Sequence, residues 1–217
     1  MPALPLFPLK TVLFPSMPVT LHIFEPRYIK MINECIDERK SFGVVLIRRG
    51  RETKGKIVEP HPIGCTARVV QVERLDKGRM NIIAVGEERF RIESIDTDQE
   101  YLVGKVEMLP LGMENRQEVL ESSEQLKPWI QRYLHILADA KMIEGEIKDL
   151  PEDPQDLAYL AAFLLQVPTR QKQALLAVNQ AARLIADTRA HYRREVAILN
   201  TLLSDGGPKD EGIISLN

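Results

Sequence analysis

The side chains that most often carry catalysis or bind metals are present in this sequence, but not at the spacings that such chemistry needs. Four histidines occur: His22, His61, His135 and His191. They form no HxxxH or HExxH pair, so one helix face cannot hold zinc through them. A phosphate-binding loop needs Ser or Thr directly after its Gly-Lys pair. Gly55 and Lys56 are instead followed by Ile57. Neither GxGxxG nor GxSxG occurs, so we expect no catalytic residue, cofactor or metal.

The two cysteines, Cys35 and Cys65, are too few for a disulfide scaffold and lack the clustered spacing of a zinc site. We therefore expect both to be small buried apolar residues. A hydrolytic site assembled only in three dimensions, for instance from Ser16, Ser41 and His22, stays open as a third alternative.

Aromatic side chains near the N-terminus are the candidates for binding a polypeptide. They are Phe7, Phe14, Phe24 and Tyr28. They could line an apolar groove, or they could fill the core, which is where aromatic side chains most often lie. Tyr28 belongs to a Glu-Pro-Arg-Tyr segment at residues 25–28 that could dock a partner or begin a helix. A groove requires that these side chains form an exposed patch.

A basic segment at residues 48–56 offers a different chemistry. Its cationic side chains are Arg48, Arg49, Arg51, Lys54 and Lys56. They could contact RNA phosphates, or they could form a solvated loop between two strands. No aromatic residues are interleaved to stack on bases. RNA binding is therefore the alternative, and nucleic acid is not the expected partner.

The elements that must position these residues are mostly strands in the first half of the chain. Residues 19–23 alternate between apolar and polar side chains, and Pro26 begins a helix that ends near residue 39. Residues 42–47 form a continuous apolar run, typical of a buried strand. A hairpin at residues 63–75 and 79–85 turns at residues 76–78. Further strands are predicted at residues 89–95 and 101–109, which together favour a small closed or nearly closed barrel.

The second half of the chain has helical spacing. The pattern predicts helices at about residues 114–142, 155–165, 170–176 and 179–203. The fold class is therefore α+β. We divide the chain into a barrel domain at residues 1–112, a helical bundle domain at residues 113–204 and a flexible C-terminal tail at residues 205–217.

Composition adds few constraints. Of the 217 residues, 44% are hydrophobic and 28% are charged, with a formal net charge of −2. This balance gives no general reason to expect nucleic acid or an anionic membrane as partner. No apolar run approaches the roughly 20 residues of a bilayer span. A cytoplasmic location without a membrane partner is the expectation.

Taken in order, several segments resemble the N-terminal domain of the ATP-dependent Lon protease. The opening of that domain is similar to the Pro-rich residues 4–9 and to residues 12–17, although Ser16 stands where Lon usually has Gly. The turn at that position is expected to differ slightly. Further segments that resemble the family are residues 19–28, 63–69, 86–92, 153–158 and 172–176. The stretch at residues 19–28 looks most like stand-alone bacterial Lon-domain proteins.

This resemblance implies a PUA-like β-barrel with one helix, followed by a C-terminal α-helical bundle. It also implies a non-catalytic polypeptide-binding or adaptor module, because catalysis in Lon belongs to ATPase and Ser-Lys peptidase domains. Unfolded or tagged polypeptides are the implied partners, with a protease or a chaperone beside them. In Lon the domain also helps to assemble the oligomer, so a homo-oligomer is a further expectation.

Overall fold

The computed structural model describes residues 3–50, 58–113, 115–143 and 149–204. The chain divides into two compact units. The first contains Met1–Pro110 and Val167–Ala177, and the second contains Leu111–Gln166 and Val178–Asn217. No helix in the described ranges has both the length and the apolar character that crossing a bilayer requires.

The first unit is built on a seven-stranded sheet. Its strands are β1 (Ala3–Leu9), β2 (Pro18–Ile23), β3 (Phe42–Arg49), β4 (Glu59–Pro60), β5 (Ile63–Arg74), β6 (Met80–Asp96) and β7 (Val103–Met108). The strand order β1-β7-β6-β5-β3 closes on itself because β1 also pairs with β3, in parallel. This closure makes a small barrel and removes most of the free edges. The α+β class predicted from the sequence, with a sheet first and helices after it, is confirmed.

The core of the barrel follows from side-chain alternation along the strands. One buried cluster unites apolar residues from four strands: Leu4, Leu6, Val45, Phe90 and Val106. The opposite side of β1 places Phe7 against helix α1 (Pro26–Asp37), where its ring also lies 6.2 Å from that of Phe42. Successive residues of β1 therefore serve two different apolar clusters.

Helix α1 begins where Pro26 fixes the backbone. Proline restricts the preceding residue to extended conformations, and Glu25 has φ −79° and ψ 131°. The helix then buries one stripe of side chains: Tyr28, Met31, Ile32 and Cys35. Spacings of three and four residues place all of them on one helix face. The connection from β2 to α1 is consequently only two residues long, Phe24 and Glu25.

Strand β6 differs from its prediction. Residues 79–85 and 89–95 were expected to be separate strands, but they are one strand of 17 residues. Gly86 lies inside the strand, at a point where the chain packs tightly. A Cβ atom at this position would lie 2.2 Å from the carbonyl oxygen of Phe14. Glycine therefore marks a close approach of backbones.

The second unit consists of helices α2 (Arg116–Asp139), α3 (Pro154–Leu164) and α5 (Ala181–Ser204). Asp153 caps α3 by accepting hydrogen bonds from the amides of Gln155 and Asp156, at 2.9 and 3.0 Å. In the interior, the rings of Tyr133 and Tyr192 meet edge to face at 5.2 Å. The predicted tail at residues 205–217 lies outside the described residues.

Helix α4 (Thr169–Leu176) groups with the barrel, although the sequence-based division assigned it to the helical bundle. Two buried polar side chains connect it to strands. Arg89 donates from Nη1 to the carbonyl of Leu176 at 2.8 Å. Gln173 donates from Nε2 to the carbonyl of Ile63 at 2.9 Å. Buried polar groups need such partners, so these two hydrogen bonds fix α4 on the barrel.

Candidate functional site

A groove opens beside the end of β2, and we call it the β2–α1 groove. It is lined by Phe7, Leu9, residues 21–25 and Tyr28, and it encloses about 150 Å³. Its walls come from the second half of β1, the second half of β2 and the first turn of α1. This volume is below the roughly 300–1,000 Å³ of pockets for drug-sized ligands. The groove is therefore the size of a recess for a single side chain.

Phe24 is the exposed apolar side chain of this groove. Along β2, Leu21 and Ile23 are buried while His22 is exposed, so the residue after Ile23 also faces outward. Phe24 has 59% of its surface exposed, and its ring stacks on that of His22, with the ring centres 5.7 Å apart and the planes inclined by 24°. His22 is held in turn, because its Nδ1 lies 2.7 Å from the side-chain oxygen of Asn81. An exposed Phe held in this way can contact an apolar side chain of another molecule.

The floor of the groove is an aromatic pair. The rings of Phe7 and Tyr28 stack at 4.3 Å, and both side chains are buried. The guanidinium of Arg27 lies over the Tyr28 ring, 4.5 Å from its centre. Arg27 also donates from Nε to the Glu25 carboxylate at 3.1 Å. The charges of Arg27 and Glu25 compensate each other at the rim, so the groove has mostly apolar walls and a paired carboxylate.

Of the four aromatic candidates, the structure brings three together and separates the fourth. Phe7, Tyr28 and Phe24 line the same groove, but only Phe24 is exposed. Phe14 has no exposed surface and does not line the groove. The aromatic set does not form one exposed patch, because Phe7, Phe14 and Tyr28 are all buried. Leu9 and His22 also line this groove, and the Glu25–Arg27 ion pair lies at its rim, although no sequence pattern indicated these roles.

The thiols offer no nucleophile. Cys65 is fully buried, and burial raises its pKa above the ordinary range. Burial also raises the pKa of Cys35 to about 11, with the nearby carboxylates of Glu34 and Glu38 adding to the effect. The reactive species is the thiolate, and both groups stay protonated near neutral pH. Within the described ranges, no three His, Cys, Asp or Glu side chains group as metal ligands.

The basic segment is only partly described. Arg48 and Arg49 are exposed at the end of β3, and Arg48 forms an ion pair with Glu59 of β4. Arg51, Lys54 and Lys56 lie outside the described residues. Of the five side chains predicted to contact RNA, the structure describes Arg48 and Arg49, and Arg48 is already paired with a carboxylate.

A second recess, of about 270 Å³, lies between the end of α1 and the middle of β5. Its lining includes Arg39, Lys40, Arg68 and the exposed Val70. Two of the cations have acidic partners, since Arg68 pairs with Glu87 and Lys40 with Glu38. The sequence pattern gave no indication of this recess, which depends on the approach of two distant segments.

Comparisons with known proteins agree with this architecture. The family model of the ATP-dependent protease La (LON) substrate-binding domain matches residues 3–188. The chain is 25% identical over 186 residues to Lon protease of Flavobacterium johnsoniae, covering 82% of this chain and 22% of that protein. It is 25% identical over 203 residues to Lon protease 2 of Sorangium cellulosum, covering 93% and 25%. The chain therefore spans a quarter or less of the length of these curated relatives.

Two solved structures share the fold. One is the crystal structure of a Lon N-terminal domain protein from Xanthomonas campestris, with a TM-score of 0.60 and 24% identity. The other is the N-terminal domain of the Lon protease of the Mycobacterium avium complex, with a TM-score of 0.66 and 17% identity. Each comparison covers 88% of this chain and 98% of the other. The resemblance inferred from the sequence motifs is confirmed.

Proposed function

Because this chain belongs to the family of the ATP-dependent protease La (LON) substrate-binding domain, we propose that it is a non-catalytic module that binds polypeptides. Its clients are unfolded or tagged proteins, and it acts as an adaptor in protein quality control beside a protease or a chaperone. The family match covers the substrate-binding domain of Lon, while the relatives are whole Lon proteases. That pattern supports a role in recognition.

The observation that carries the proposal is Phe24, exposed at the mouth of the β2–α1 groove. An apolar side chain of a client would contact the Phe24 ring and enter the recess above Phe7 and Tyr28. Folded proteins bury most apolar side chains, whereas unfolded ones expose them. A neutral groove of this kind therefore selects clients by their exposed apolar residues, with little dependence on charge.

Binding of the whole chain to a permanently unfolded probe tests the proposal. Reduced, carboxymethylated α-lactalbumin serves as the probe, and fluorescence anisotropy gives the dissociation constant. Burying an aromatic side chain contributes about 1.5–3 kcal/mol, so Phe24→Ser is expected to weaken binding by roughly 10- to 100-fold. The matched control is Val70→Ser, because Val70 is also 59% exposed but lies outside the groove.

Two results would contradict the proposal. One is a wild-type chain that binds the unfolded probe no better than it binds a folded protein of similar charge. The other is equal weakening of probe binding by Phe24→Ser and Val70→Ser, which would show that the groove has no particular part in binding. The RNA-binding alternative is not favoured by the comparisons, and in the described residues Arg48 already has an acidic partner.

A further inference from the structure

Strand β2 has an open edge that the barrel does not cover. Within the described residues β2 pairs with β6 alone, in antiparallel register from Pro18 opposite Val85 to Ile23 opposite Met80. The strands of the closed ring, by contrast, each pair with at least two neighbours. A strand that pairs on one side presents unpaired N–H and C=O groups on the other. The second edge of β2 is therefore available for a further strand.

The register identifies which backbone groups face that edge. In an antiparallel ladder, bonded and non-bonded residue pairs alternate. The Gly86 amide donates to the Met17 carbonyl at 2.9 Å, which makes this a bonded pair directly before β2. Because bonded pairs recur at every second residue, the backbone groups of Val19, Leu21 and Ile23 bond to β6. The backbone groups of Thr20 and His22 then face the open edge.

Two independent observations agree with this assignment. On the far side of β6, the Leu75 amide donates to the Arg79 carbonyl at 2.8 Å, so residues 79, 81 and 83 face β5. That leaves residues 80, 82 and 84 to bond to β2. The side chains of His22 and Asn81 also touch, which is typical of a non-bonded pair because its Cα atoms lie closer together.

The open edge and the β2–α1 groove are parts of one surface. Residues 21–23 of β2 line the groove consecutively, from both faces of the strand, which places the recess along the edge of the backbone. Pro18 lies at another outward-facing position, where its missing N–H costs no ladder hydrogen bond. An occupant can thus meet backbone hydrogen-bonding groups and an apolar recess at the same time.

We infer that this surface binds an extended, uncharged apolar segment of polypeptide as an additional β-strand on β2. The inference rests on the proposed function and defines the conformation and chemistry of its client. Hydrogen bonds to Thr20 and His22 hold the main chain of the client. The recess takes one apolar side chain, against Phe24. Because Glu25 is already paired with Arg27, the rim has no free charge that would favour a charged client.

Strand addition makes a prediction that a simple apolar groove does not. Only alternate residues of the added strand bond to β2, since the others point away from it. A fluorescent seven-residue peptide with a central Leu and flanking Val, Thr and Ser residues is the probe. It is N-methylated at one position at a time. Methylation at alternate positions should weaken binding by at least about tenfold, and methylation between them should change it by less than about twofold.

A substitution in the protein tests the same edge. Thr20→Pro removes the outward N–H without removing a hydrogen bond to β6, and it should weaken peptide binding by at least about tenfold. The matched control, Thr20→Val, keeps the N–H and should bind like the wild type. Amide exchange measured by NMR on the wild-type chain adds a readout that needs no substitution. The peptide should protect the amides of Thr20 and His22, whereas those of Val19 and Leu21 are protected beforehand.

The outcomes separate the two proposals. Binding that depends on Phe24 but shows no alternation in the methylation scan, and no new protection at Thr20 and His22, overturns strand addition and leaves polypeptide binding standing. Absence of binding by both the peptide and the unfolded probe overturns both. Protection of the same two amides that grows with protein concentration and without peptide would assign the edge to a second copy of this chain, which also overturns the inference.

Discussion

Substitution of Arg89 tests how α4 is held on the barrel. Its side chain is only 2% exposed, and it donates to the carbonyls of Leu176 at 2.8 Å and Pro110 at 3.4 Å. In Arg89→Met the side chain keeps similar bulk but donates no hydrogen bond. Each buried carbonyl left unpaired costs about 1–3 kcal/mol. Part of this cost is offset, because the variant no longer keeps a charged group buried away from water. The free energy of unfolding should therefore fall by about 2–4 kcal/mol.

The control for Arg89→Met is Arg91→Met, two residues along the same strand. Arg91 is half-buried, and its Nη1 lies 3.5 Å from the Glu107 carboxylate. Because both side chains still reach solvent, this ion pair contributes at most about 1 kcal/mol. Urea unfolding followed by circular dichroism measures both variants. Native-state hydrogen exchange should also show faster exchange of the α4 amides in Arg89→Met only. Equal stability of the two variants, with unchanged α4 exchange, would refute the role of Arg89.

Two further predictions concern packing and thiol chemistry. Gly86→Ala should lower the free energy of unfolding by at least about 2 kcal/mol, because its Cβ would lie 2.2 Å from the Phe14 carbonyl oxygen. Gly104→Ala is the milder comparison in thermal unfolding, since its Cβ meets only side-chain atoms, the nearest at 3.0 Å. Because burial raises the pKa of both Cys35 and Cys65, a chromogenic disulfide at pH 8 should react slowly with the native chain and completely in urea. Native rates like those of a free thiol would contradict this.

Local signals in the sequence predicted much of the fold. Pro26 correctly marks the start of α1, and residues 76–78 form the turn between β5 and β6. Both depend on the backbone preferences of a few adjacent residues. The prediction of two strands at residues 79–85 and 89–95 was wrong, because β6 is continuous. Within it, Gly86 lies against the backbone of Phe14, a contact between segments distant in sequence.

Less of the candidate site could be predicted from the sequence. Phe14 and Phe24 both follow apolar strand-like patterns, yet one is fully buried and the other is 59% exposed. The difference depends on where each segment meets the rest of the barrel. The same is true of α4, whose place beside the barrel is determined by Arg89 and Gln173, two polar side chains with partners far away in sequence.

The opening beside β2 follows from the lengths of the strands. One side of β6 is shared, because residues 80–85 pair with β2 and residues 90–96 pair with β7. Strand β7 then continues the ring to β1, whose second half pairs with β3 instead of β2. Strand β2 is therefore left outside the closed path, and the same groove is lined by β1 on one side and β2 on the other. A barrel closed in this way keeps one edge open, with the exposed Phe24 at its end, and that combination is what an extended apolar client requires.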